Sequence, residues 1–390
     1  MNKALTEVIK PLKHQEKFVT GYAGRNLLVH EAGTGKTICA CLWLKDGRDY
    51  NALVVCPKRV VKKWRAELVK WGTKGTVVSK EEFKKTDHQQ WSAIVIDECD
   101  WFASPLFSKG RSKLTEHMYN LIKNYKTKTL LLSATPIRSN PWNLHTILTL
   151  SGYYIDWKKW RDYFFELKKL PYLPRPAWLP KKDWRMRIRP ILEKYSDIVL
   201  MKDCVGELPA ITEEIVPVES APFINTEWEG IKAFFEEHKH EQKNKLEHIL
   251  EIGREYRKVL VVAYYREQIL ELQKELSKDR ETFVLMGGVK DQEEIIKQAQ
   301  ASDECFFIVQ ASVGEGFDAD SFSCVVFASQ SYAVRDFVQM KARVRRIHNL
   351  HPVVYYYLIA GDCDKAVYKN VMMGKDFVPS EYLTRPTKTI

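Results

Sequence analysis

The chain has 390 residues, 45% hydrophobic and 28% charged, which is enough apolar material for two cored domains of ordinary size. No stretch approaches the roughly 18–20 uninterrupted apolar residues of a membrane span, and the opening MNKALTEVIK lacks the apolar core of a secretory leader. A formal charge of +11 suggests an anionic partner but does not by itself identify one.

In chain order, short apolar runs in the first half fall at 26–30 (NLLVH), 52–56 (ALVVC), 94–96 (IVI) and 129–132 (TLLL). In the second half they fall at 259–263 (VLVVA), 283–285 (FVL), 306–309 (FFIV), 325–328 (VVFA) and 353–358 (VVYYYL). Runs apolar on both faces and separated by helix-like stretches predict parallel sheets covered by helices on both sides, one sheet in each half. The fold class is therefore α/β, with a first domain over 1–220 and a second over 221–390. The Glu- and Lys-rich stretch around 215–245 shows no strand signal and reads as a charged helix or linker.

The interval 141–200 breaks the alternation. It holds Trp142, Trp157, Trp160, Trp178 and Trp184, with prolines at 171, 174, 176, 180 and 190. Tyr153–Lys169 reads as helix, and the prolines after it exclude continuous helix. The segment is predicted as a small helical, Trp/Pro-rich basic insertion in the first domain, with its own apolar cluster. Residues 121–200 hold 16 Lys+Arg against 6 Asp+Glu, so nearly the whole charge excess sits there. Lys181, Lys182, Arg185 and Arg187 are its candidate phosphate contacts, the alternative being a solvated basic face. The tryptophans either stack on bases or pack a core. The eight cysteines show no CxxC spacing and several lie in apolar runs, as expected of buried thiols in a reducing compartment.

Chemistry concentrates at strand ends. After NLLVH comes Glu31-Ala32-Gly33-Thr34-Gly35-Lys36-Thr37 and then a helix-like run, the strand–loop–helix context of a phosphate-binding loop. Gly33 and Gly35 let backbone N–H groups curl around an anion; Lys36 would reach the β- and γ-phosphates, and the Thr37 hydroxyl would face Mg²⁺. The strict pattern wants Gly where this chain has His30. Asp97-Glu98 closes the IVI strand: Asp97 is the candidate for holding Mg²⁺, and Glu98 for activating a water. Ser133-Ala134-Thr135 follows the next strand, with hydroxyls able to bond the acidic pair. In the second domain Gln339-Met340-Lys341-Ala342-Arg343-Val344-Arg345-Arg346 reads as a helix with Arg343 and Arg346 on one face. Such arginines suit stabilisation of a phosphoryl group in transfer. The loop 311–318 carries Ser312, Gly316 and Asp318 at a strand's ligand edge, where it could meet nucleotide, protein or a backbone phosphate.

In this order the motifs resemble those of the superfamily-two helicases and translocases, and among them the Swi/Snf-like branch, over about 10–375. Leu12-Lys13-His14-Gln15 looks like the adenine-recognising segment, with Gln15 the base contact. Leu53-Val54-Val55-Cys56-Pro57, with Lys58 and then Trp64, looks like a motif that grips a nucleic-acid strand. Val199–Lys202 with Glu207-Leu208-Pro209 looks like the branch's lobe junction, and Gln339–Asn349 like its arginine motif. Departures are Ala342 where the branch has glycine and a VGEGFD loop unlike its usual run. The resemblance implies two RecA-like lobes with ATP and Mg²⁺ between them, and duplex DNA as the track, contacted by Pro57, Lys58, Thr135 and Ser312. It further implies a monomer without membrane attachment, working in a bacterial or phage-infected cytoplasm, or in a nucleus if the source is eukaryotic. Strand-separating DNA or RNA helicase action, and an ATP-switched clamp without turnover, stay open as alternatives; a metabolic kinase would leave the arginine motif and the second sheet unexplained.

Overall fold

The computed structural model describes residues 10–21, 24–47, 51–86, 91–102, 104, 112–137, 141–169, 175–204, 210–220, 223, 229–313, 317–345 and 351–374. The chain divides into two compact units between Gly206 and Glu207.

The first unit is built on strands β1 (Leu27–His30), β2 (Ala52–Cys56), β3 (Thr76–Ser79), β4 (Ala93–Asp97) and β5 (Lys128–Ser133). A hairpin of β6 (Phe165–Lys168) and β7 (Ala177–Pro180) follows, and then β8 (Ser196–Val199). The main sheet is parallel, in the order β3-β2-β4-β5-β1-β8, and the hairpin is a separate antiparallel pair. Successive residues face opposite sides, so each strand feeds two cores. Leu28, Val54, Val95 and Leu132 pack with Trp43, Trp64 and Leu68 on one side. Leu27, Val55, Ile94 and Ile96 pack with Met118, Leu144 and Ile147 on the other.

Among the described residues the Trp/Pro segment has no apolar cluster of its own. Trp160, Phe164, Phe165, Trp184 and Ile188 belong to the same core as Ile94 and Ile96, and Trp142 stacks on Phe165 at 3.7 Å. The helix expected over Tyr153–Lys169 runs only over Trp157–Phe164, because Phe165–Lys168 pairs into the hairpin. Pro190 lies inside the helix Trp184–Tyr195, at the cost of one helix hydrogen bond. The segment ends in β8, which pairs with β1 along the edge of the main sheet.

The second unit holds β9 (Ile211–Pro217), β10 (Lys258–Ala263), β11 (Thr282–Leu285), β12 (Cys305–Gln310), β13 (Cys324–Phe327) and β14 (Val353–Ile359). They form a parallel sheet in the order β11-β12-β10-β13-β14-β9. β9 shifts the expected boundary near 220 back to 206, since it pairs with β14 from Ile211 to Pro217. ITEEIVP is an edge strand with exposed Thr212, Glu213 and Glu214, which is why its signal is weak. All eight cysteines are unpaired and seven are buried; burial pushes the Cys39 and Cys41 thiols up to about 12. Among the described residues no helix is long and apolar enough to cross a membrane.

Candidate nucleotide site and nucleic-acid surface

β1 delivers the chain into the glycine loop, where Gly33 (φ 91°) and Gly35 (φ 88°) adopt left-handed backbone open to glycine at little cost. The helix Lys36–Asp46 begins directly after Gly35, so its first N–H groups, which lack partners within the helix, lie at the loop. A Cβ on Gly35 would stand 2.3 Å from Gln15 Nε2, so a side chain there would displace Gln15. Gln15 is buried; its Nε2 donates to Thr34 O at 3.3 Å and its Oε1 accepts from Leu12 N at 2.9 Å. The His14 ring bonds the same Thr34 carbonyl at 2.9 Å, and Thr34 Oγ1 donates to Glu31 O at 2.7 Å. Lys36 Nζ curls back onto His30 O (2.9 Å) and Glu31 O (3.4 Å). Thr37 follows in the first turn of the helix.

His30, which replaces the expected glycine, has a structural task. It is buried, with Nε2 2.6 Å from Asp197 Oδ2 on β8, and burial lowers its pKa against the pull of Asp197. Glu31 Oε2 accepts from Met201 N at 2.8 Å, a second tie between the loop and the chain after β8. Neither partner was legible in the sequence beyond the anomaly of a histidine at that position.

The acidic pair sits at the end of β4. Asp97 Oδ2 accepts from the Trp64 indole at 2.8 Å, and Oδ1 accepts from Glu98 N at 3.0 Å. Burial raises the Asp97 pKa, opposed by the Trp64 hydrogen bond and the charge of Lys36. Glu98 has φ 49°, a left-handed backbone that is uncommon for a non-glycine residue and concentrates at functional sites. Ser133 closes β5, the strand between β4 and β1. Its Oγ accepts from Thr135 N at 3.0 Å rather than reaching the acidic pair, and Thr135 Oγ1 is buried without a hydrogen-bond partner among the described residues. Because the strands are parallel, Gly33–Thr37, Asp97–Glu98 and Ser133–Thr135 all leave the same carboxyl edge, where open α/β sheets bind ligands. The glycine cradle, the helix N-terminus, Lys36, Thr37 and Asp97 form a donor and acceptor set that fits a nucleotide phosphate with Mg²⁺.

In the second unit the helix Val334–Val344 carries Gln339, buried, and Arg343, whose Nη1 donates to Phe317 O at 3.2 Å. The helix stops at Val344 and Arg345 is extended, so the helical face expected to carry Arg343 and Arg346 together ends before Arg346. Arg346 and Gly316 lie outside the described residues. Ser312 is exposed in the turn Ala311–Val313, and the Asp318 carbonyl accepts from the Gln300 amide. The sequence reading also missed a buried polar cluster that anchors the segment leading into this helix. Lys245 Nζ donates to Asp364 Oδ2 (2.5 Å), Gln242 Oε1 (2.7 Å) and Ala328 O (2.6 Å). His238 lies 3.2 Å from Asp364 Oδ1 and 2.9 Å from the Tyr332 hydroxyl. A lysine in an otherwise charged stretch offers no sequence signal for such burial.

Of the expected nucleic-acid contacts, Pro57 precedes the short turn Lys58–Val60 directly after β2, and Lys58 is exposed. Lys182 and Arg185 are exposed on the basic segment. Arg185 lies 4.6 Å from the Trp184 ring centroid, and Lys181 and Arg187 have hydrogen-bonded partners. Lys181 Nζ donates to Asp162 O (2.6 Å) and Tyr163 O (3.2 Å), while Arg187 donates to Asp183 Oδ2 (2.8 Å) and Tyr163 O (2.9 Å).

Comparison with known proteins adds four findings. Residues 241–348 match the model of the helicase conserved C-terminal domain. A Bacillus subtilis protein named as the uncharacterized ATP-dependent helicase YqhH is 28% identical over 169 residues, covering 36% of this chain and 29% of the relative's own length. Among solved structures, Saccharomyces cerevisiae Dbp5 bound to RNA and ADP BeF3 superposes with a TM-score of 0.55 at 13% identity, over 93% of this chain and 87% of that one. The Sulfolobus solfataricus SWI2/SNF2 ATPase core in complex with dsDNA covers 94% of this chain and 91% of that one, at 15% identity and a TM-score of 0.43. Residues 241–348 of the second unit thus match the helicase conserved C-terminal domain, and the two helix-flanked parallel sheets are of RecA-like build, the fold shared with Dbp5.

Proposed function

We propose that the chain is a nucleic-acid-stimulated ATPase that moves along duplex DNA. The observation that carries this reading is the gathering of Gly33–Thr37, Asp97–Glu98 and Ser133–Thr135 on one carboxyl edge of the first sheet. In this reading Gln15 meets the adenine and the loop N–H groups with Lys36 hold the phosphates. Thr37 and Asp97 would hold Mg²⁺, which when bound neutralises charge on the β- and γ-phosphates. Glu98 orients and deprotonates the attacking water. Arg343 and Arg346 stabilise the negative charge of the phosphoryl group in transfer, with Gln339 and Asp318 completing the second unit's share. Pro57, Lys58, Thr135 and Ser312 contact the track through its phosphates, and such grips are independent of sequence and sensitive to salt. Duplex rather than single-stranded DNA is favoured by the likeness of Gln339–Asn349 to the arginine motif of the Swi/Snf-like branch.

The test is ATP turnover without nucleic acid and with single-stranded DNA, duplex DNA and RNA side by side. Duplex DNA is expected to stimulate most. Lys36→Ala and Glu98→Gln should each lower turnover by about 100-fold or more, the scale of a lost catalytic group. Retained turnover in either variant would remove the catalytic assignment. Equal rates with and without every nucleic acid would remove the motor reading.

A further inference from the structure

The β6–β7 hairpin carries apolar surface that the core does not use. Phe165 and Leu167 alternate onto the same face of β6. Phe165 is buried in the core, whereas Leu167, two residues on, is 53% exposed. Trp178 stands directly opposite Leu167 in the hairpin register and is 36% exposed. The face that begins inside the core therefore continues into solvent as a Leu–Trp pair. Tyr163, at the end of the helix leading into the hairpin, is 48% exposed.

Two features make this face a platform rather than a loose flap. The Arg161 guanidinium lies 4.4 Å from the Trp178 ring centroid and that of Arg187 5.1 Å from the Tyr163 ring, contacts that hold each ring in one orientation. Lys181 and Arg187 then fasten the Tyr163 carbonyl, Arg187 from the helix Trp184–Tyr195, and Lys181 N donates to Phe164 O at 2.8 Å, closing the base of the hairpin. The platform stands in the interval of the chain that holds nearly all of its excess positive charge.

We infer that the Leu167–Trp178 face, with Tyr163, stacks the unpaired bases of a single-stranded nucleic acid. Charge selects a polyanion: Lys169, just after β6, and Lys182, just after β7, are exposed, and lysine is depleted from the centres of protein–protein interfaces. Aromatic surface gains nothing from a phosphate chain alone. In a duplex the bases are already stacked on each other, so exposed rings in a basic setting suit unpaired nucleotides. The inference rests on the nucleic-acid reading above and adds a contact to bases, separate from the phosphate grips of the sheet edges.

The experiment titrates the full chain with a fluorescent oligothymidylate and with a blunt duplex of equal length, for the wild type, Trp178→Ala and Trp178→Phe. Binding of the single strand is expected to weaken at least about fivefold in Trp178→Ala, the lower end of the cost of losing one stacked aromatic. Trp178→Phe should restore most of that loss, and duplex binding should change less than twofold. Equal single-strand binding by Trp178→Ala and wild type would overturn the inference while leaving the motor reading standing. Wild type that binds neither probe would overturn the motor reading itself. Dimerisation of the wild type that Trp178→Ala abolishes, with single-strand binding unaffected, would assign the face to a second copy of the chain.

Discussion

At the scale of single residues, the phosphate loop is held by neighbours as much as by its own glycines. Gln15 occupies the space a side chain on Gly35 would need, so the residue expected to read the base also keeps the loop's backbone in place. Trp64 does the corresponding work for Asp97. Its indole N–H holds one carboxylate oxygen, and the hydrogen bond favours the ionised form against the cost of burial. Trp64→Phe keeps the apolar packing and removes only that donor. Under the proposed chemistry, the Mg²⁺ concentration needed for half-maximal ATP turnover should rise about tenfold or more, the usual cost of losing a partner of a metal-binding carboxylate. A titration unchanged from wild type would reduce Trp64 to a packing residue. The tryptophan was noticed in the sequence for its place after LVVCP, but its bond to Asp97 spans 33 positions and depends on the fold.

At the scale of elements, central strands announced themselves, whereas of the four edge strands of the two main sheets only β11 did. β1, β2, β4 and β5 are apolar on both faces because helices cover both sides, and such runs need no tertiary context to be read. β3, β8 and β9 are short or lie at an edge, where one row of side chains meets solvent and the pattern dilutes into that of a loop. The helix Asp362–Met372 shows how tertiary structure supplies a cap from far away. Glu241 accepts from Cys363 N at 3.1 Å and from Asp364 N at 2.7 Å, and a Cβ on Gly361 would fall 2.1 Å from its carboxylate. Burial, with the Asp364 charge adding, holds the Glu241 carboxyl up at about 7 despite those two N–H groups. A pKa raised in the fold above its unfolded value near 4.5 means that the native state binds the proton more tightly. Stability from this group is therefore present below about pH 4.5 and is lost as pH rises through about 7. Melting temperatures measured between pH 4.5 and 8 should show a declining component that Glu241→Gln removes. An identical pH profile in the variant would assign the decline to other groups.

At the scale of the whole molecule, the positive charge proved to be two things. Arg187 ties the helix Trp184–Tyr195 to the helix Trp157–Phe164 and Lys181, just ahead of the former, binds the end of the latter, whereas Lys182 and Arg185 are exposed. Replacing Lys182 and Arg185 together by alanine should lower the slope of log affinity for duplex DNA against log salt by up to about 2, near 0.9 per lost phosphate contact. An unchanged slope would leave that face merely solvated. The Trp/Pro segment shows the same division: Trp160 and Trp184 complete the core of the first sheet, while Trp178 is left at the surface.

What the sequence determined by itself was the set of central strands, the doubled α/β architecture and the order of the nucleotide-site motifs. Each rests on local pattern, on runs apolar on both faces or on glycines and carboxylates placed directly after a strand. Tertiary structure alone decided which strands form the sheet edges and where the two units divide, because pairing joins residues as distant as Ile211 and Val353. It also decided that His30 meets Asp197, that Lys245 meets Asp364 and that the basic segment shares the core of the first sheet. A buried polar group must find its partner wherever the fold supplies one, and that partner has no fixed distance along the chain.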